Sequence, residues 1–186
     1  SYTYTVAEGH TERALDALQI SLILKDAAGN EVTHTTLANS SSIDADTPTV
    51  SSASASPSDG TRKVGESVVV TITASESGLA AGAAASTING VDVTSSFSAS
   101  GTEYSFTYTV AEGHTDRALD ALPISLSLKD AAGNEVTHAT LANSPSIDAD
   151  TPTVSSASAS PTDGTRKVDE SVVVTITASE SGLAAG

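Results

Sequence analysis

Apolar and polar residues alternate with period two along several runs of the chain, the pattern of half-buried β-strands. In Glu66–Ala74, Val68, Val70 and Ile72 share one face, with Val69, Thr71 and Thr73 opposite. In Tyr104–Val110, Tyr104, Phe106, Tyr108 and Val110 point one way, and Ser105, Thr107 and Thr109 the other. Leu122, Ile124, Leu126 and Leu128 alternate with Pro123, Ser125, Ser127 and Lys129. Pro123 brings no amide donor, so this strand starts there or exposes an edge there. Val50–Ala55 and Val136–Ala142 slip phase, and Val136 and Leu141 share a face only across a bulge. Turn residues separate the runs: Asn89-Gly90 between Ile88 and Val91, Pro57-Ser58-Asp59-Gly60, and Asp130-Ala131-Ala132-Gly133-Asn134. The predicted strands cover about 48–56, 66–75, 86–94, 103–111, 122–129 and 135–142. A seventh, whose ends the pattern does not mark, lies between the third and fourth of these. Glu112–Leu122 is too short for a major helix and has room for one turn around Leu119.

About seven short strands in roughly 100 residues, with no helix, predict an all-β fold: a two-sheet antiparallel β-sandwich. Immunoglobulin-like topology is expected, because the two termini then leave from opposite poles and the units can be strung head to tail.

The pattern recurs. Residues 1–82 align without a gap on 105–186, and 74 of the 82 pairs are identical. The eight differences include Glu12/Asp116, Gln19/Pro123, Ile23/Ser127, Ser41/Pro145 and Gly65/Asp169. The period of 104 residues is a whole domain, not a solenoid unit. The expected division is a C-terminal part-repeat at 1–43, a complete repeat at 44–147, and an N-terminal part-repeat at 148–186. The chain opens inside a repeat, which reads as a segment of a longer array. The two part-repeats are candidates to complement one another between chains, since near-identical repeats favour swapping.

Composition narrows the chemistry. There is no Cys, Met or Trp, and aromatics are 3% of residues. The core must come mostly from Val, Ile, Leu and Ala, and no disulfide supports it. No apolar run is long enough to span a membrane, and no signal peptide is visible. The net charge is −15, and residues 44–147 hold 12 acids against 4 bases, a net −8. That sign excludes generic nucleic-acid binding. It also opposes compaction. A thin core with excess carboxylate implies an external stabiliser, and a hard divalent cation such as calcium suits it. The abundance of Ser, Thr, Ala and Gly suggests disorder, but the ordered alternation of apolar residues argues against it.

Four segments carry a family resemblance: Asp-Gly-Thr-Arg-Lys-Val-Gly-Glu at 59–66, the strand Phe106–Gly113, Asp-Ala-Ala-Gly-Asn at 130–134, and Ile-Asp-Ala-Asp-Thr-Pro-Thr-Val at 147–154. In order and spacing they resemble the bacterial immunoglobulin-like repeats of giant RTX-type surface adhesins, in particular the extender regions of ice-binding and biofilm adhesins. The resemblance spans the whole period. It implies calcium-dependent folding, stiff linkers and secretion to the bacterial cell surface. The second copy departs at Val168-Asp169-Glu170, where the first reads Val64-Gly65-Glu66. That puts any turn needing positive φ there in doubt.

The sharpest candidate site is the linker pair Asp44 and Asp46, repeated as Asp148 and Asp150. In an extended segment residues i and i+2 point the same way, about 6–7 Å apart, so two carboxylates can face one calcium. Calcium takes six to eight oxygens, so the remainder must come from the flanking domains. The Asp-x-Asp-x-x-Pro linker also looks like the calcium-binding linkers of cadherins. The plain alternative is a solvated acidic linker. On the inferred strand order, Glu76, Asp130 and Asn134 lie near Asp44 and Asp46. Asp59, Glu66, Glu112, Asp116 and Asp120 then lie near Asp148 and Asp150. The copies Asp26, Asn30, Asp16 and Glu180 join the candidate set by repetition.

Asp130–Asn134 reads equally as a tight turn or as a source of ligands, and it does not match an EF-hand loop. Asp59-Gly60 reads better as a turn alone. His10, His34, His114 and His138 lack Cys partners and read as surface or edge-strand residues. No nucleophile-elbow pattern supports a Ser/His/Asp triad, so the chain is not expected to be an enzyme. The Thr-x-Thr runs read as outward strand faces.

The leading expectation is a structural extender, with neighbouring repeats as its partners and target contacts made by other domains. The rival is a repeated module that binds carbohydrate, ice or itself through valency. The absence of aromatic sugar platforms weighs against that rival. An accessory domain of a secreted enzyme is a third reading.

Overall fold

The structure is a computed structural model that describes residues 1–184. In the first part-repeat, β1 (Leu22–Lys25) and β2 (Glu31–His34) form an antiparallel hairpin. The complete repeat begins with β3 (Val50–Ser56), β4 (Thr61–Arg62), β5 (Ser67–Ala74), β6 (Ala80–Ala81), β7 (Thr87–Ile88) and β8 (Val91–Asp92). A 3-10 turn at Thr94–Ser96 leads to β9 (Ser98–Ser100), β10 (Glu103–Thr109), β11 (Ile124–Lys129), β12 (Glu135–His138) and β13 (Ser146–Ile147). In the last part-repeat β14 (Val154–Ser160) pairs with β15 (Val173–Ala178).

Two antiparallel sheets make a β-sandwich. One has the order β3-β5-β10-β9, and the other β12-β11-β7-β8 with β6 added on β11. The alternation decides which side chains fill the space between them. Val68, Val70 and Ile72 stand opposite Tyr108, Phe106 and Tyr104 in register, and all six are fully buried. Ile124, Leu126 and Leu128 of the facing sheet, with Leu122 just before it, close the core with Ile88 and Val110. Phe97 stacks on Tyr104 at 6.0 Å and tilts against Phe106 at 5.5 Å, so half of this small aromatic set is concentrated in one place.

The structure departs from the sequence pattern in places. The strand expected at 86–94 is broken into β7 and β8 by a two-residue turn. Asn89 and Gly90 both take positive φ, 55° and 76°, which reverses the chain at once. The strand expected to run to 142 stops at His138, so no bulge is needed, and Leu141 reaches the core from the segment beyond. The phase slip in β3 is a real register shift, between Val50 and Ser52. The unmarked strand is β9. Residues 112–122 form turns and no helix, and β11 starts directly after Pro123.

Core packing runs to Ile147 and Ala149, two residues past the 147 boundary. Ser146 and Ile147 pair in parallel with Thr61 and Arg62, closing the sandwich at the pole where the linker leaves. In the last part-repeat, β14 and β15 reproduce the β3–β5 register, bulge included. Yet Val174 and Ile176 are 63% and 61% exposed, where their copies Val70 and Ile72 are fully buried. Local pairing is therefore encoded within those segments, and burial is supplied by the opposing sheet. The doubtful turn survives: Gly65 has φ 87° and Asp169 has φ 74°, one of the few residue types that tolerates this region.

Candidate functional site

The linker is built by alternation. Ala45 and Ala149 turn inward and are buried, which sets Asp44 and Asp46, or Asp148 and Asp150, outward together. Each linker is hydrogen-bonded to the repeat before it. Arg13 and Ile43 exchange backbone bonds of 3.0 and 2.8 Å, and Gly9 N–H donates to the Ala45 carbonyl at 2.9 Å. Thr47 donates its amide at 3.1 Å and its hydroxyl at 2.6 Å to the Glu8 carboxylate. The next joint repeats this with Arg117 and Ile147, Gly113 and Ala149, and Glu112 and Thr151. Thr hydrogen bonds hold the Glu8 and Glu112 carboxyls below the ordinary glutamate range.

The repeat that follows reaches back to the first linker. Asn134 Nδ2 donates to Asp44 Oδ1 at 3.3 Å and, at 3.4 Å, to the Asp46 carbonyl. The loop carrying Glu76 is pinned at the same pole. The Tyr104 hydroxyl donates to the Glu76 carbonyl at 3.0 Å and accepts Leu79 N–H at 3.1 Å. Glu12 enters from the preceding repeat. The negative charge of Asp46 pushes its carboxyl above the ordinary glutamate range, followed by a hydrogen bond with Asp46, the charge of Asp44, burial and the charge of Glu76. Two expected members, Asp44 and Asp46, thus meet one expected partner, Asn134, and an unexpected one, Glu12, while the charge of Glu76 reaches Glu12. The repeat alignment holds the signal for Glu12, because it copies Asp116, and for Glu8, because it copies Glu112.

Other candidates serve turns. Asp130 accepts Gly133 N–H at 2.7 Å, Asn134 N–H at 2.9 Å and the Asn134 side chain at 2.8 Å. Burial pushes this carboxyl up, but the bonds from Asn134 and Gly133 outweigh it and hold it low. Asp26 and Asn30 repeat the arrangement. Asp16 and Asp120, both at φ 61° within turns, accept Ser40 and Ser144 N–H at 2.8 and 2.9 Å and tie those turns to segments 24 residues on.

At the other pole Asp148 N–H donates to the Arg62 carbonyl at 3.0 Å, and Asp116 accepts Ala149 N–H at 2.8 Å. Glu66 accepts Lys63 N–H at 3.1 Å within its own turn, and Asp59 is exposed beside Gly60, whose carbonyl takes Ser146 N–H. Glu180 is exposed beyond β15.

Among the described residues, no three acidic or histidine side chains stand in the arrangement of a ready metal centre. The donors at Asp44–Asp46 are nonetheless all oxygens, plus an amide whose oxygen can turn inward, which is the donor type a hard cation takes. Glu12 faces like charge there, from Asp46 first and then Asp44 and Glu76.

His114 has a structural part that the sequence did not reveal. Its ring stacks on Tyr108 at 5.5 Å, and its Nδ1 accepts Ala111 N–H at 3.1 Å. Asn89 Nδ2 donates to the Tyr108 hydroxyl at 3.0 Å, and Arg117 Nε donates to Asn89 Oδ1 at 2.7 Å. This network carries the segment that holds Glu112 and Asp116.

No protein-family model, curated protein or solved structure matches the chain.

Proposed function

We propose that the chain is part of a structural spacer whose repeats are tied at their linkers by calcium, in an extracellular adhesin of the bacterial kind its motifs resemble. The observation that supports this reading most is the meeting of groups from both neighbours at Asp44-Ala45-Asp46. Glu12 comes from the repeat before and Asn134 from the repeat after. The strand order of the two sheets supports immunoglobulin-like topology with linkers at opposite poles. Asp44, Asp46, Glu12 and Glu76, with the Asn134 amide oxygen, would hold the ion. Bound there, calcium would supply positive charge that cancels the repulsion and crosslinks the two repeats.

Thermal unfolding in excess EGTA, in millimolar calcium and in matched magnesium tests the reading. Calcium at about 100 times its dissociation constant adds roughly 2.7 kcal/mol per site, an upward Tm shift of about 10 °C or more for a domain of this size. Magnesium should add less, because it demands a tighter octahedron. Asp44→Asn with Asp46→Asn should abolish the calcium shift at that joint. An unchanged Tm in calcium would overturn the reading and bring forward the multivalent binding module.

A further inference from the structure

We infer that the joint between repeats is a single residue, Pro48, and that a calcium-independent carboxylate–threonine latch fixes everything on its N-terminal side. This deepens the spacer reading above and rests on it.

Up to Thr47 the backbone amides of the linker bond to the preceding repeat, and the Asn134 side chain of the following repeat reaches it with two longer bonds of 3.3 and 3.4 Å. Ile43 and Ala45 are bonded to Arg13 and Gly9, and Thr47 gives both its donors to Glu8. From Thr49 onward the chain belongs to the following repeat. Thr49 N–H donates to Ser75 Oγ at 3.0 Å, and Ser75 N–H returns a bond to the Thr49 carbonyl at 2.8 Å. Only Pro48 lies between. It has no N–H to bond, its ring fixes φ, and it is fully buried. Two backbone dihedrals, the proline ψ and the Thr47 ψ that the proline ring restricts to extended values, are left as the main freedom of the joint.

The second joint repeats the arrangement. Thr151 is held by Glu112, and Thr153 is bonded to Ser179 at 2.9 Å through both the side chain and the backbone. Pro152 stands between them, exposed where Pro48 is buried. A latch present at both joints is a property of the repeat. It also explains the Thr-Pro-Thr that follows each Asp-Ala-Asp: the first Thr locks backward, the second locks forward, and the proline stiffens the gap.

The test uses the full chain in excess EGTA. Amide hydrogen exchange of Thr47 and Thr151 should be protected without calcium. Glu8→Ala and Glu112→Ala should each speed exchange at the paired threonine about tenfold, the worth of a charge-assisted bond. Thr47→Ser, which keeps amide and hydroxyl, should retain the protection at residue 47. Spin labels at Lys25→Cys and Ser98→Cys report the joint itself. Their distance distribution should be narrow in EGTA and should broaden in Pro48→Gly. Unprotected threonine amides in EGTA, or amides indifferent to the glutamate substitutions, would overturn the latch. A distribution unchanged by Pro48→Gly would overturn the pivot. Absence of a calcium-dependent Tm shift with the latch intact would sink the calcium reading alone, so the two failures are distinguishable.

Discussion

Ser127 illustrates how one side chain decides what can lie over a strand. It sits on the face of β11 opposite Leu126 and Leu128, yet it is only 1% exposed. Gly82 covers it so closely that a β-carbon there would fall 2.0 Å from the Ser127 hydroxyl oxygen. The hydroxyl donates to Glu135, and Ser86 Oγ accepts Ser127 N–H at 3.0 Å. The equivalent residue of the preceding repeat is Ile23. An isoleucine at 127 would drive into Gly82 and leave Glu135 without that donor. Ser127→Ile should therefore destabilise the complete repeat by about 1–3 kcal/mol, read from urea unfolding, whereas Ser127→Ala should lose only about 1 kcal/mol. Alternation placed Ser127 outward in the sequence. It could not place a segment more than forty residues away on top of it, because a covering loop leaves no periodic mark.

The broken strand β7–β8 belongs to the element scale. Asn-Gly was legible as a turn and the flanking residues as a strand, and the two readings conflict within nine residues. The turn prevails because Asn89 does more than turn. Its side chain, 5% exposed, ties Tyr108, the Thr115 carbonyl and Arg117 into one buried network. Asn89→Ala removes those bonds and leaves a residue at φ 55° without the short polar side chain that makes asparagine tolerant of this region. A loss of about 2–4 kcal/mol is expected, measured by urea unfolding. Tyr108→Phe, which deletes one hydroxyl, should lose about 1 kcal/mol. Strands β5, β10 and β11 were readable because each has a sheet face toward the core and the other outward. The site was half readable for the same reason: Asp-x-Asp is a local pattern, and the repeat alignment points to the acids that face it. That Asp16 and Asp120 tie their turns to Ser40 and Ser144, while Glu12 faces Asp46, depends on partners 24 or more residues away, which sequence spacing does not specify.

Across the whole molecule, carboxylates act with opposite signs in different places. Glu8, Glu112 and Glu135 are held low by hydrogen bonds from Thr47, Thr151 and Ser127. Folding therefore favours their charged forms. Their contribution is present above the ordinary value of 4.5 and is lost as pH falls through the depressed values. Glu12 is the reverse. Asp46 raises it, so folding favours its protonated form, and stability is gained as pH falls through its raised value toward 4.5. The net charge of −15 adds repulsion that acid also relieves. In EGTA the urea midpoint should thus rise as pH is lowered from neutrality, peak near 4.5, and fall below it. Calcium at the linker would cancel the Glu12 repulsion before any proton does. With saturating calcium the rise from neutrality should therefore flatten, while the acid fall remains, because the threonine-bonded glutamates are still lost. Glu12→Gln should flatten the same arm without calcium. If calcium lifts the curve but leaves its slope intact, the ion sits away from Glu12, and the acids at Asp44 and Asp46 are a solvated linker.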